Sequence, residues 1–217
     1  MDSRIVTISL AVAVGFVGLM TIDAARTWPV PGSQQGYEPV QPIAYSHRLH
    51  AGELEIDCLY CHSAAETSRH AGIPAIGVCM NCHRLISASL GAVREEDERA
   101  QQDNRRPRAL TSPEIQKIYA AFGLDENRLI DPTRRPTPVA WTRVHNLPDF
   151  VYFDHRAHVA ASVSCQSCHG PVETMERVRQ VEDLSMGWCV NCHRTATAAG
   201  VAGARVDASI DCVTCHY

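Results

Sequence analysis

The sequence predicts a mainly α-helical protein with long loops, built as a duplicated module behind one N-terminal transmembrane helix. Three observations lead to this fold class. All 10 cysteines of the 217-residue chain fall in copies of one short motif. The motifs of the two halves repeat one another. An uncharged apolar segment covers residues 5–22.

The composition narrows the classes of protein that this chain can belong to. Its 20 Lys and Arg against 24 Asp and Glu give a net charge of −4, so we expect no nucleic-acid partner. With only 4 Phe and 3 Trp, something other than aromatic side chains must fill the interior. Scaffolds held by many disulfides are usually shorter than ~80 residues, so the spacing of the cysteines must decide their role.

The first structural element is the apolar segment 5–22, which follows Arg4 and precedes Asp23. Its 18 residues would span ~27 Å as a helix, close to the ~30 Å of a bilayer core. A cleaved secretory signal is the alternative, although its apolar stretch is typically ~7–15 residues and Asp23 suits no small-x-small cleavage site. The sequence therefore favours a retained transmembrane anchor over residues 1–26.

The cysteine motif reads C-x-x-C-H, and its five copies use every cysteine. They are Cys58, Cys61 and His62; Cys79, Cys82 and His83; Cys165, Cys168 and His169; Cys189, Cys192 and His193; and Cys212, Cys215 and His216. In c-type haem attachment the two thiols bond the macrocycle and the adjacent histidine ligates the iron. A zinc ribbon would not require a histidine after each pair of cysteines, and a redox-active dithiol would not require five copies of the motif. Both alternatives are therefore disfavoured. We expect five covalently bound haem c.

Haem attachment by this motif takes place outside the cytoplasmic membrane. The chain after Asp23 is therefore expected on the periplasmic side. Together with the anchor, this predicts a single-pass protein of the cytoplasmic (inner) membrane, with the lipid membrane as one partner and the haem domain in the periplasm.

Six histidines lie outside the motifs, nearly matching the five remaining axial positions. Four of them form two H-x-x-H pairs, His47 with His50 before the first motif and His155 with His158 before the third. Residues i and i+3 project from one side of a helical turn, so each pair can serve two neighbouring haems. All four are candidate distal ligands.

The other candidate distal ligands are single residues. His70 lies between the first two motifs and is expected to serve the second haem, and His145 precedes the second H-x-x-H pair. A methionine thioether is the other common ligand. Met186 has an apolar counterpart, Ile76, in the first half and is expected to pack, so Met175 is favoured for the fourth haem. For each lone histidine, a residue that binds no metal is the alternative.

The two halves of the chain repeat one another. Cys58 and Cys165 are 107 residues apart, and Cys79 and Cys189 are 110 apart. We therefore divide the chain after the anchor into a first haem module with two haems (27–84), a charged connecting segment (85–138) and a second module with three (139–217).

The connecting segment carries an acidic block at 95–98 and a basic block at 105–108. Opposed blocks of this kind are most often solvated. Residues 111–114, Thr-Ser-Pro-Glu, predict the capped start of a helix.

Two family resemblances follow from these motifs. In both halves an aromatic residue stands two positions before an H-x-x-H pair, and a C-x-x-C-H motif follows. This pattern resembles the class III multihaem cytochromes c, in which the first histidine ligates the next haem and the second ligates a later one. With the anchor, two plus three haems, the segment 138–153 and Met-Gly-Trp-Cys at 186–189, the chain resembles the membrane-anchored pentahaem cytochrome c subunit of alternative complex III, a bacterial quinol:electron acceptor oxidoreductase. The resemblance is weakest over 84–131.

The resemblance implies an electron-transfer subunit without catalytic residues that relays electrons through five haems towards a periplasmic acceptor. The implied partners are an iron–sulfur protein, polytopic membrane subunits that hold the quinol site, and a monohaem cytochrome c. Two alternatives stay open. One is a multihaem reductase with an open haem iron, and the other is a self-sufficient membrane-anchored quinol dehydrogenase.

Overall fold

The computed structural model describes residues 3–27, 34–125 and 128–217, with side chains of the first segment described at 7–21. The α-helices are α1 (Ser3–Thr27), α2 (Cys58–Cys61), α3 (Ala64–Thr67), α4 (Ile76–His83), α5 (Leu90–Gln102), α6 (Pro113–Phe122), α7 (His155–Ala160), α8 (Gln166–His169), α9 (Met186–Ala199) and α10 (Cys212–Cys215). A π-helical turn covers Arg48–Glu53, and a 3-10 turn covers Val172–Thr174. The predicted mainly helical character is confirmed.

The predicted transmembrane helix is wrong. Across the described parts of the chain, no helix combines the length and the apolar character that crossing a membrane requires. The prediction of a single-pass inner-membrane protein with a periplasmic haem domain depended on this span and is corrected with it. The side chains of Arg4 and Asp23, which were taken to flank the span, lie outside the described residues.

Helices carry most residues of the C-x-x-C-H motifs. They are α2, α4, α8, α9 and α10. Local side chains begin two of them, since Asp57 accepts from the backbone N–H of Leu59 in α2 and Ser185 accepts from that of Trp188 in α9. Because residues i and i+3 share one side of a helical turn, each motif presents its two thiols together.

The connecting segment supplies much of the apolar core. Helix α6 packs against α4, and the buried cluster consists of Ile43, Met80, Ile118, Tyr119 and Leu124. The hydroxyl of Tyr119 donates to the carbonyl of His83 at 2.6 Å, which ties α6 to the second motif. The predicted helix start is also present, because Ser112 accepts from the backbone N–H of Ile115. The segment therefore supports the second motif.

The acidic and basic blocks of the connecting segment pair with each other. The side chain of Glu96 is only 8% exposed, and the Arg105 guanidinium donates to its Oε1 at 2.5 Å. The backbone N–H of Arg108 donates to the same oxygen at 2.8 Å. These bonds, led by that from Arg105, lower the pKa of Glu96 to about 2. Glu96 is thus a buried exception within blocks that are otherwise largely exposed, as composition predicts.

Two of the contacts between the halves of the chain join helical elements. Helix α3 packs against α7, and the π-helical turn packs against the 3-10 turn. At the second contact, a Cβ placed on Gly52 would lie 2.2 Å from the carbonyl oxygen of Glu173, so only glycine fits. At the first, the carbonyl of Arg69 accepts from the backbone N–H of His155 at 3.2 Å. This contact brings histidines of the two halves together.

Candidate haem-binding sites

The cysteine thiols are available for covalent attachment. All ten lie within 34–125 and 128–217, none is fully buried, and each is free of a disulfide. Over the described residues, no group of three or more His, Cys, Asp or Glu side chains converges as a zinc ribbon would require. The donor set therefore fits the addition of thiols to haem.

Three pairs of imidazole rings join a motif histidine to a histidine of an H-x-x-H pair. The ring centres are 6.1 Å apart for His50 and His83, 6.4 Å for His155 and His169, and 6.0 Å for His158 and His193. Two metal–nitrogen bonds of about 2.0–2.1 Å, each added to the roughly 1.1 Å from ring centre to ring nitrogen, give about 6.2 Å. Each pair thus has the separation expected of two axial ligands on one iron.

A backbone carbonyl fixes the ring orientation of six of the candidate ligands. The Nδ1–carbonyl distances are 2.8 Å for His50 with Ser46, 2.8 Å for His62 with Gly72, 2.8 Å for His83 with Ile86, 2.7 Å for His155 with Arg69, 2.9 Å for His158 with Asp154 and 2.5 Å for His193 with Ser209. Since a carbonyl can only accept, the proton sits on Nδ1 and the Nε2 lone pair is left for a metal.

His47 is associated with the first motif. Burial, followed by the proximity of His62 and His50, lowers the pKa of His47 to about 4, so its ring is neutral at neutral pH. The neutral ring is the form that ligates metals. Its buried Nδ1 has no hydrogen-bond partner among the described residues. Such a ring beside His62 fits the role of distal ligand of the first haem.

His145 lies against the third motif. Its Nε2 is 3.3 Å from Nδ1 of His169, and the ring centres are 4.3 Å apart with the rings edge to face. Burial lowers the pKa of His145. Burial, followed by the proximity of His145 and His155, lowers the pKa of His169 to about 3. His169 therefore has His155 at axial-ligand separation and His145 at its other ring nitrogen.

Met175 lies beside the first H-x-x-H pair. It is buried, and its carbonyl accepts from the backbone N–H of Arg48 at 2.9 Å. The sequence favoured Met175 as the ligand opposite His193, the motif histidine of the fourth haem. The side chain that lies opposite His193 is instead the imidazole of His158. The role of Met175 as a ligand stays a prediction.

His70 is exposed and follows Arg69, whose guanidinium lies 4.5 Å from the ring centre of Tyr152. The backbone N–H of Tyr152 donates to the carbonyl of Cys215 at 2.8 Å, which links this region to the fifth motif. The sequence predicted that His70 pairs with His83. The imidazole that lies opposite His83 is instead that of His50. The haem served by His70 stays a prediction.

The rings of Tyr45 and Phe153 contact the H-x-x-H pairs, although the sequence had assigned them no role. The ring centre of Tyr45 is 4.4 Å from that of His50, and the ring centre of Phe153 is 4.6 Å from that of His158. Both aromatics stand two residues before the first histidine of their pair, so the repeat itself contained the signal. The backbone carbonyls that orient the histidines left no such signal, because every residue carries one.

Comparison with known proteins agrees with this geometry. Residues 151–217 match the family model described as cytochrome c7 and related cytochrome c. The menaquinone reductase multiheme cytochrome c subunit of Nitratidesulfovibrio vulgaris is 24% identical over 221 residues, covering 93% of this chain and 88% of that protein. These matches support the prediction of a multihaem cytochrome c with covalently bound haem c that serves in electron transport. The segment 151–217, which holds the last three motifs, is therefore similar to cytochrome c7 and related cytochromes c.

Proposed function

We propose that this chain carries five haem c and relays electrons as a subunit of a quinone-linked membrane oxidoreductase of the alternative complex III type. The observation that carries the proposal is the ring separation of 6.0–6.4 Å in the three histidine pairs. An electron relay requires both axial positions to be filled, so that no substrate binds the iron. The similarity to a menaquinone reductase subunit supports the link to quinone chemistry.

Three ring pairs, and the proximity of His47 to His62, support an assignment of ligands to four haems. We assign the axial pairs His47 with His62, His50 with His83, His155 with His169, and His158 with His193. The cysteines of each motif supply the thioether bonds, and His216 is the motif ligand of the fifth haem. Bound haem c supplies reversible one-electron transfer. These histidines would ligate the iron, and the carbonyls behind them keep the rings in place.

The contacts between motifs support an order for the relay. The Nδ2 of Asn81, in the second motif, donates to the hydroxyl of Tyr60, in the first, at 3.0 Å. Burial and then the neighbouring thiol of Cys165 raise the pKa of Cys58, so the first and third motifs also adjoin. The two haem modules therefore meet through their first motifs.

The order continues within the second module. His155 and His158 stand one turn apart on α7 and face the third and fourth motifs. The Nδ1 of His193, in the fourth motif, donates to the carbonyl of Ser209, just before the fifth. We infer an order of second, first, third, fourth and fifth motif, with the second and fifth at the two ends.

The partners that this function requires are an iron–sulfur protein, polytopic subunits that hold the quinol site, and a monohaem cytochrome c or another periplasmic acceptor. The resemblance to the alternative complex III subunit supports this set. The haem modules 27–84 and 139–217 and the connecting segment 85–138 remain our proposed division of the chain.

A comparison of quinol-driven and chemical reduction tests this function. The isolated chain should be fully reduced by dithionite and negligibly by a quinol analogue, whereas the intact complex should be reduced by both. Fast quinol-driven reduction of the isolated chain would identify a self-sufficient dehydrogenase instead.

A reductase with one open iron is the second candidate, because the ring that stacks on His216 is that of Phe150, with centres 5.8 Å apart. Carbon monoxide distinguishes it from a relay. A spectral change in the native reduced protein would support the reductase, and an unchanged spectrum supports the relay.

A further inference from the structure

The third motif differs from three others in the partner of its histidine. Nδ1 of the motif histidine donates to a backbone carbonyl in the first, second and fourth motifs, at His62, His83 and His193. Nδ1 of His169 instead faces a side chain, Nε2 of His145, at 3.3 Å.

Ligation decides which of these two nitrogens carries the proton. If Nε2 of His169 binds an iron, its Nδ1 must hold the proton and act as donor. Nε2 of His145 is then the acceptor, and the proton of His145 sits on its own Nδ1. A lone pair used in this hydrogen bond is not free for a second metal, so the contact and axial ligation through Nε2 of His145 exclude each other.

The chain around His145 is fixed on both sides. The backbone N–H of Thr142 donates to the side-chain oxygen of Gln41 at 2.9 Å, and the side-chain nitrogen of Gln41 donates to the carbonyl of Thr142, also at 2.9 Å. On the other side, the backbone N–H of Val151 donates to the carbonyl of Pro148 at 2.9 Å. These bonds fix the chain on both sides of His145, whose ring is half-buried.

We propose that His145 is a positioning residue that accepts the Nδ1–H of His169 and thereby lowers the reduction potential of the haem at the third motif. The inference rests on the proposed function, because it needs a haem ligated by His169. A hydrogen bond at Nδ1 raises the basicity of the ligating ring, and a more electron-donating ligand stabilises the ferric iron. A ring nitrogen is a more basic acceptor than the backbone carbonyls that serve the other motifs.

The test replaces His145 in the full chain and measures all haem potentials by spectroelectrochemical titration. The variants H145F and H145L remove the acceptor with different side-chain volumes. The control variant H145Q keeps a side-chain oxygen that can accept from His169. We expect the reduction potential of one haem to rise in H145F and H145L. The ferric-to-ferrous ratio of that haem at a fixed potential should shift roughly tenfold, which corresponds to about 59 mV for one electron. H145Q should stay near the wild-type value.

Electron paramagnetic resonance of the same samples separates the two possible roles of His145. A low-spin spectrum throughout supports a positioning role, whereas a high-spin ferric signal in H145F and H145L would identify His145 as an axial ligand and overturn the proposal. Unchanged potentials in both variants would also overturn it, as would an equal shift in H145Q. The haem count of the wild-type chain tests the proposed function separately, since it does not depend on any change at His145.

Discussion

The imidazole rings of His155 and His169 lie nearly parallel, with planes 7° apart and centres 6.4 Å apart. Nδ1 of His155 donates to the carbonyl of Arg69, at 2.7 Å, in the other half of the chain. The proposed distal ligand of the third haem is therefore oriented by the first module. Axial ligation and the contact between the two modules are coupled at this residue.

Replacement of His155 by alanine should open one iron. Without the imidazole opposite His169, that haem should become high-spin and bind carbon monoxide, while the others stay low-spin. Absorption and electron paramagnetic resonance spectra measure the change. Arg156→Lys is the matched control, since this neighbouring side chain is 51% exposed and keeps its charge. A low-spin H155A protein that does not bind carbon monoxide would contradict the assignment.

The number of haems can be checked on the denatured chain. Five complete motifs with no spare cysteine predict five covalent haem additions by mass spectrometry. The double variant Cys165→Ala, Cys168→Ala should lose one addition, because both thioether bonds of the third haem are removed. Four or fewer additions in the fully matured wild-type chain would show that one motif is not used.

Gly52 provides a test of the contact between the π-helical turn and the 3-10 turn. A Cβ at this position would lie 2.2 Å from the carbonyl oxygen of Glu173, so Gly52→Ala must displace backbone. We expect a loss of about 1–3 kcal/mol in the free energy of unfolding, as for other overpacked sites.

Gly91 offers the matched control. It lies in α5 with nothing within 4 Å of an added Cβ, so Gly91→Ala should be neutral or stabilise the chain by up to ~1 kcal/mol. Denaturant unfolding of the haem-loaded protein measures both variants. Equal stability of G52A and G91A would mean that the two turns do not meet as described.

The ion pair of the buried Glu96 with Arg105 predicts a pH dependence of stability. The folded pKa of Glu96 is about 2 against an ordinary 4.5, so its contribution is complete above about pH 4.5 and is lost as the pH falls towards 2. Glu96→Gln should therefore destabilise the chain at pH 7, and its deficit relative to the wild type should shrink over that range.

Glu95→Gln is the control for this pH dependence. Glu95 pairs with Arg99 at the surface, where its side chain is 63% exposed, so its loss should change stability little at either pH. Denaturant midpoints at pH 7 and at pH 3 compare the two variants. A constant deficit of E96Q between these pH values would contradict the lowered pKa of Glu96.

The sequence by itself was enough to predict the covalent chemistry of this protein. Attachment needs two thiols and a histidine within five consecutive residues, and a helical turn brings the thiols together, so local sequence was sufficient. The same locality made the helix start at Ser112 predictable, because a cap needs only the next three residues. The duplication was visible as well, since it is a property of spacing alone.

Local sequence was not sufficient for the N-terminal segment. Its apolar composition predicted a membrane span, but over the described residues no helix is long and apolar enough to cross a membrane. The charge blocks of the connecting segment were predicted in part. Glu95, Glu98, Arg106 and Arg108 are exposed, as solvated blocks would be, whereas Glu96 is buried and pairs with Arg105.

Only the tertiary structure decided which distal histidine faces which motif. His50 lies opposite His83, and His145 lies against the far nitrogen of His169, although spacing alone offered other pairings. The physical reason is that an axial pair joins two rings whose separation of about 6 Å depends on the path of the chain between them. That path is set by the packing of α4 on α6 and of α3 on α7, and no short motif contains it.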